Sequence, residues 1–305
     1  MMPIISSRTL QNGKCIPVIG FGAGTAWFKR ADQVHEFNHG LVNSTKAALN
    51  VGFRHLDLAE VYGTDDEIGK ALKETGVPRD QIFITSKLIT NIAHVKEATQ
   101  SILQKVGISY LDLLLIHAPF LPPGTSVSQA WSEMEALVDA GVVTSIGVSN
   151  FRVEDLKDLL SYARIKPVVN QVEFHPYLQQ PELHQFCKAH GIVMCGYSGL
   201  ISLNKKVGGP VDTVVEVIAK ERGLSPAQVL ILWGIQKEVV VITTSSQEQR
   251  LREYLAAAAA AGSGDAAVGR VNLLSEEEMQ SIDEAGSQLH FRQYWQEQFG
   301  FVPSA

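Results

Sequence analysis

The sequence predicts an α/β fold, a closed (β/α)8 or TIM barrel, on three observations. Eight short β-rich apolar segments recur along the chain. Most are followed by a stretch with helical spacing, many with cap or glycine stop signals. The strand segments are apolar on both faces, as a parallel sheet covered on both sides requires. Eight such units favour closure over an open doubly wound sheet.

In order, Arg8–Gln11 and Lys14–Pro17 flank Asn12-Gly13 and read as an N-terminal β-hairpin with a two-residue turn. Ile19–Gly22 is the first barrel strand. Gly22-Ala23-Gly24-Thr25 then lets backbone approach a ligand, although a tight turn is the commoner role of such glycines. Helical spacing covers Phe37–Val51. Strands follow at His55–Leu58, Ile82–Ser86, Leu111–Ile116, Ser145–Val148, Val168–Val172, Ile192–Cys195 and Val239–Ile242. Between them lie helices Thr64–Thr75, Val95–Val106, Val127–Ala140, Val153–Tyr162, Pro181–His190 and Val211–Arg222. Another opens at Ser225-Pro226, with proline at its first position. Thr64-x-x-Glu67 and Ser245-x-x-Glu248 read as capping boxes, and Ser275-Glu276-Glu277-Glu278 caps a last helix. Ala256–Ala261 can extend a helix, and Gly262-Ser263-Gly264 breaks it, so 256–270 reads as a mobile surface insertion in one 1–305 domain. The tail, Leu289–Ala305, holds Phe291, Tyr294, Trp295, Phe299 and Phe301, too apolar to leave in water. It is expected to pack over a surface or the barrel mouth.

At 305 residues with 45% hydrophobic and 19% charged content, the chain has the make-up of a globular protein. A net charge of −6 without a basic stripe argues against a nucleic-acid partner. Cys15, Cys187 and Cys195 form no pairing framework or metal spacing. Neither a signal-peptide core nor a membrane-length apolar run is present, so the expected setting is cytoplasmic, with a small-molecule partner and no membrane.

Three successive strands end on residues that carry chemistry: Asp57 with Tyr62 in the loop beyond, Lys87, and His117. Ligands bind at that end of parallel strands. An ammonium beside a phenol stabilises the phenolate and lowers its pKa from about 10. At ~4 Å and an effective dielectric of ~20 the attraction is about 4 kcal/mol before desolvation. Asp57 can hold Lys87, and His117 can hydrogen-bond a substrate oxygen. Together they make a general acid for a developing alkoxide, which needs a hydride from a nicotinamide. Ser149, Asn150 and Gln171 could hold a carboxamide, Tyr197 could stack on the ring, and Ser245, Ser246 and Arg250 could hold a phosphate at a helix start. Each of these alone is more often a cap, a core aromatic or a solvated charge.

The chain resembles the aldo-keto reductase family from about Leu10 to Gly286. The resemblance is carried by His-Leu-Asp-Leu-Ala-Glu-Val-Tyr-Gly at 55–63, Ile-Thr-Ser-Lys-Leu at 84–88 and Leu-Leu-Ile-His at 114–117. Gly-Val-Ser-Asn-Phe at 147–151, Asn-Gln-Val-Glu-Phe-His-Pro at 170–176 and Gly-Tyr-Ser at 196–198 also match. It implies NADPH-dependent reduction of carbonyls, NADH being the other nicotinamide donor, in a monomer or weak dimer. Asp57, Tyr62, Lys87 and His117 would be the catalytic tetrad, with Tyr62 the proton donor. Thr25, Ser149, Asn150, Gln171, Tyr197, Ser198, Leu200, Thr244, Ser245, Ser246 and Arg250 would meet the cofactor. Thr244 stands where a lysine is usual, Tyr254 where asparagine is common, His-Ala-Pro-Phe at 117–120 replaces His-Trp-Pro, and Tyr197–Leu200 lacks the usual proline. Thr-Thr-Ser-Ser at 243–246, His-Ala-Pro-Phe and Arg-Gln-Tyr-Trp at 292–295 resemble a fungal branch of α-keto amide and conjugated polyketone (ketopantoyl lactone) reductases. That implies α-keto amides, α-keto esters, isatin or cyclic diketones as substrates, with Trp27, Phe120 and Trp295 as pocket walls. The rival readings are a Schiff-base aldolase on Lys87, a glycosidase on Glu60 and Glu173, and a nucleotide-binding interaction subunit with little turnover.

Overall fold

The computed structural model describes residues 6–24, 26–30, 32–33, 35–262 and 273–300. A short antiparallel ribbon comes first, β1 (Ser7–Thr9) on β2 (Cys15–Pro17), with Arg8 opposite Ile16. Its connection runs from Leu10 to Lys14, longer than the expected two-residue turn. Leu10 bonds across the loop, receiving Gly13 N and donating to Lys14 O, while its side chain is buried. Leu10 and Ile16 pack with Phe83, Leu113 and Val169, the first residues of their strands, so the ribbon plugs the barrel floor. Asn12 Nδ2 fastens it to Ser145 Oγ at 2.9 Å, and Gln11 Nε2 to Pro167 O at 2.7 Å.

Eight parallel strands close the barrel in chain order. They are β3 (Ile19–Gly22), β4 (His55–Asp57), β5 (Phe83–Leu88), β6 (Leu113–Ile116), β7 (Ile146–Ser149), β8 (Val169–Glu173), β9 (Val193–Tyr197) and β10 (Val240–Thr243). β10 returns to pair with β3. Because side chains alternate between faces with a period of two, Thr85 and Lys87 share the inner face of β5, and Gln171 and Glu173 that of β8. Tyr197 is the last residue of β9, two residues beyond the predicted end of that strand.

The helices are α1 (His39–Val51), α2 (Asp65–Thr75), α3 (Val95–Val106), α4 (Val127–Asp139), α5 (Val153–Tyr162), α6 (Pro181–Ala189), α7 (Pro210–Arg222), α8 (Pro226–Gln236), α9 (Glu248–Gly262) and α10 (Glu276–Ser287). Capping boxes form at Ser225–Gln228 and Ser275–Glu278, each meeting two otherwise orphaned amides. The box expected at Thr64–Glu67 does not form. Thr64 Oγ1 donates to Ala23 O, and Glu67 is drawn off by Lys29 at 2.6 Å and by the Asn38 amide at 2.8 Å. At Ser245 the hydroxyl accepts from Gln247 N at 3.1 Å, so a turn rather than a box precedes α9. The alanine run lies within α9, with Ala257 and Ala258 buried against the core. Residues 263–270 of the expected insertion, Thr25 and Phe301 lie outside the described residues. Among the described residues no helix is long and apolar enough to cross a membrane.

Candidate active site

β4, β5 and β6 deliver Asp57, Lys87 and His117 to one end of the barrel. Lys87 is fully buried, and its ammonium donates to Asp57 Oδ1 at 2.6 Å and to Leu58 O at 2.8 Å. The second Asp57 oxygen accepts from Gln171 Nε2 at 2.7 Å, across the barrel. Every oxygen of this buried carboxylate therefore has a donor, which offsets the cost of taking the pair out of water.

Tyr62 ends a single 3-10 turn, Glu60–Tyr62, closed by Gly63 in the left-handed region at φ 65°. Lys87 Nζ lies 5.2 Å from the centre of its ring. The His117 ring stands edge-on to Tyr62 at 5.8 Å between centroids. Glu60 ties the turn to the segment just beyond Lys87. Its Oε1 accepts the amides of Ile89, Thr90 and Asn91 at 2.6, 2.5 and 3.1 Å. Gly24 leaves the room the phenol ring occupies: a Cβ there would lie 2.6 Å from Tyr62 Cζ.

Ser149, Asn150, Gln171 and Tyr197 form one hydrogen-bonded group. Ser149 Oγ donates to Gln171 O at 2.7 Å, Asn150 Nδ2 donates to Ser149 Oγ at 3.0 Å and to His117 O at 2.9 Å, and Tyr197 Oη donates to Asn150 Oδ1 at 2.7 Å. Asn150 takes the left-handed backbone at φ 60°, which asparagine tolerates better than most residues. A carboxylate only accepts, so Gln171 must turn its NH2 to Asp57, and Oε1 remains as its acceptor. Ser198 and Leu200 lie in the turn beyond β9, while Ser246 and Arg250 are exposed at the start of α9 with Ser245 half-buried before them.

Of the three expected pocket walls, Phe120 and Trp295 come together, 5.8 Å apart, with Trp295 6.3 Å from His117. Trp27 does not join them: its indole N–H donates to Thr244 Oγ1 at 3.2 Å, on the β10 side. Phe28, which the sequence did not single out, sets its ring edge-on to Tyr62 at 6.4 Å, as His117 does at 5.8 Å. The outer face of the tail, Arg292 and Phe299, lines a separate groove of about 840 Å3 with Arg152, Tyr177 and Gly286. None of Asp57, Tyr62, Lys87 or His117 lines that groove.

The electrostatics differ from the sequence expectation in one respect. Burial pushes the Tyr62 phenol up, Lys87 pulls it down, and burial wins, so the phenol ends above its ordinary value. Burial also pulls the Lys87 ammonium down, but Asp57 and the phenol more than reverse this. Burial, then Lys87, take His117 down to about 3, so it is neutral. A Schiff base at Lys87 requires a neutral, reachable amine, and this one is buried, charged and salt-bridged. The glycosidase reading fails as well: Glu60 is occupied by backbone amides, and Glu173 by those of Gln293 and Tyr294. Among the described residues no group of His, Cys, Asp and Glu could hold a metal.

Buried histidines make the fold acid-sensitive. Burial takes His55 down to about 4 and His117 to about 3 from an ordinary 6.5. Between pH 6.5 and 4 the unfolded chain therefore binds protons at His55 and His117 that the folded chain refuses, and burial lowers His175 and His184 in the same direction. Asp65 opposes them: burial raises it from 3.8 to about 7, so the folded chain holds one extra proton there. The histidines outweigh Asp65, so the balance favours unfolding as pH falls, by about 1.4 kcal/mol per pH unit for each net proton. The urea midpoint is expected to drop between pH 6.5 and pH 5; an unchanged or higher midpoint at pH 5 contradicts this balance.

Comparison with known proteins agrees with this architecture. The model of the aldo/keto reductase family matches residues 19–285. An NAD/NADP-dependent indole-3-acetaldehyde reductase of Schizosaccharomyces pombe is 43% identical over 232 residues, 75% of this chain and 81% of that protein. The NADPH-dependent alpha-keto amide reductase of Saccharomyces cerevisiae is 39% identical over 246 residues, covering 76% and 79% of the two chains. Among solved structures, an aldo/keto reductase from Brucella melitensis superposes with TM-score 0.77 at 31% identity, over 92% of this chain and all 100% of that one. A Bombyx mori aldo-keto reductase in complex with NADP gives TM-score 0.79 at 27% identity over 92% of each chain. The family model spans the strands that carry Asp57, Lys87 and His117, the relatives and solved structures cover most of the chain, and the chain belongs to the aldo/keto reductase family.

Proposed function

We propose that the protein reduces activated ketones and aldehydes to alcohols with NADPH, and that Tyr62 is the proton donor. The observation that carries the reading is the locked ammonium. Lys87 is held by Asp57 and Leu58 O on one side and faces the Tyr62 phenol on the other. A charge so fixed stabilises the phenolate left behind when the phenol gives up its proton, with no reorganisation at that moment. The neutral His117 can donate a ring N–H to the carbonyl oxygen, and the Trp295 and Phe120 rings flank that place. The raised phenol pKa suits this role, since the acid must be protonated at neutral pH, and an alkoxide is a far stronger base than a phenolate.

The residues at the mouth fit a nicotinamide. Asn150 Oδ1 and Gln171 Oε1 can accept from a carboxamide, Ser149 and Asn150 can donate to it by exchanging the bonds they make within the group, and Tyr197 supplies a flat ring beside them. Ser245, Ser246 and Arg250 at the start of α9 suit a phosphate, which favours NADPH over NADH. When bound, the nicotinamide supplies the hydride. The named specificity of the yeast relative and the aromatic wall point to α-keto amides, α-keto esters, isatin and cyclic diketones. A panel of these carbonyls against NADPH and NADH tests the reading. Turnover confined to sugars or steroids removes the substrate class, a clear NADH preference removes the NADPH assignment, and no NADPH oxidation at all favours an interaction subunit.

Gly24→Ala probes the phenol's position without touching a charged group. The new methyl would sit 2.6 Å from Tyr62 Cζ, so the ring must shift. A displacement of this kind is expected to lower kcat about 10- to 100-fold with little change in melting temperature. Wild-type kcat in this variant contradicts the placement.

A further inference from the structure

We infer that Glu173 is the positioning residue that fixes the aromatic wall of the pocket, and so decides which carbonyl compounds fit; this rests on the reductase reading. Glu173 is the last residue of β8, one inward step beyond Gln171, and is fully buried. It sits among residues of the mouth, yet its carboxylate is turned to the tail and to His175. Oε1 accepts from His175 Nε2 at 2.9 Å and from Gln293 N at 2.8 Å, and Oε2 accepts from Tyr294 N at 2.9 Å. Two consecutive amides converging on one anion make a nest, a geometry that a neutral side chain serves poorly.

Those two amides lead directly into the wall. Tyr294 sets its ring edge-on to Tyr197 at 5.8 Å, beside the proposed nicotinamide seat. Trp295 has φ 59°, the left-handed region that a bulky residue enters only when held there. That turn lays its ring against His117 and Phe120. Phe299 closes on Phe120 at 5.4 Å, and the largely buried Arg292 guanidinium covers Phe299 at 3.9 Å. One carboxylate belonging to the rigid barrel therefore sets the register of a tail that contributes rings on both sides of the reacting centre. The wall so formed suits flat, cyclic or aromatic dicarbonyls, which stack between rings, over small linear ones, which do not need it.

Glu173→Gln keeps the size but puts an NH2 against one of the two tail amides. Hydrogen exchange at the Gln293 and Tyr294 amides is expected to quicken at least tenfold. KM for isatin should rise at least tenfold, while KM for a small linear α-keto ester and Kd for NADPH stay within twofold. Trp295→Ala should reproduce the loss for isatin, and adding Glu173→Gln to it should cost nothing more, because both act through one wall. Unchanged exchange at the two amides overturns the inference. So does an equal fall in kcat for both substrates, which marks a role in the chemistry, or an additive double variant. If Glu173→Gln does not fold, Trp295→Ala alone decides: equal losses for isatin and the linear ester overturn the wall's role in selection. If the wild-type protein turns over neither substrate while exchange still quickens in the variant, the reductase reading fails and the clamp stands.

Discussion

Tyr62→Phe is expected to lose about 10²- to 10⁴-fold in kcat for carbonyl reduction, the range spanned by a positioned general acid. The substitution removes one oxygen and leaves the ring. Its packing against Phe28, His117 and Gly24 is therefore retained. The groups proposed to hold the nicotinamide, Ser149, Asn150, Gln171 and Tyr197, bond among themselves and to His117 O and Asp57, and none bonds to Tyr62. Titration by protein fluorescence quenching should therefore give the wild-type Kd for NADPH. Loss of binding together with turnover would mean that the phenol holds the cofactor; retention of both would mean that another group supplies the proton.

Lys87→Met should damage stability and activity by separable routes. Methionine nearly fills the volume but leaves Asp57 Oδ1 and Leu58 O without the ammonium they share. Removing one partner of a buried ion pair costs about 3–5 kcal/mol, because the other charge stays behind uncompensated. Gln171 still donates to Asp57 Oδ2, which places the expected loss at the lower end, about 3 kcal/mol in urea unfolding. Activity should fall by about 10²- to 10³-fold, as when one preorganised charge donor is removed from a transition state. Adding Asp57→Asn to Lys87→Met should restore much of the stability and none of the activity. A double variant that recovers turnover would show that Lys87 serves only to neutralise Asp57.

The barrel was legible because its signals are local. Eight doubly apolar strands, and glycine stops such as Gly141, Gly191 and Gly223, all with left-handed backbone, can each be read within a few residues. The ends of β4, β5 and β6 were legible for the same reason, since the inward face follows from a period of two once a strand is placed. Local pattern does not reach partners distant in the chain. Thr64-x-x-Glu67 has the spacing of a capping box, but Lys29 and the Asn38 amide compete for the glutamate and win. Trp27 reads as a wall candidate and its neighbour Phe28 carries no signal; a hydrogen bond to Thr244, 217 positions away, turns the indole aside and leaves Phe28 beside the phenol. Glu60 and Glu173 can be paired as acids on paper, whereas backbone amides from other segments occupy both. The direction of the Tyr62 shift depends on how far burial outweighs Lys87, and no sequence pattern encodes that balance.

The central claim, that a phenol held beside a fixed ammonium delivers the proton, is met most directly by the pH dependence of single-turnover reduction of isatin by NADPH. On this proposal reduction needs the phenol protonated, and burial has moved it above its ordinary value. His117, at about 3, carries no proton to donate as an acid at neutral pH. The rate should be flat from about pH 6 through 9 and fall only on the alkaline side, and Tyr62→Phe should abolish that alkaline limb along with most of the rate. A rate that already falls between about pH 6 and 8, and does so equally in Tyr62→Phe, would assign the proton to a different group.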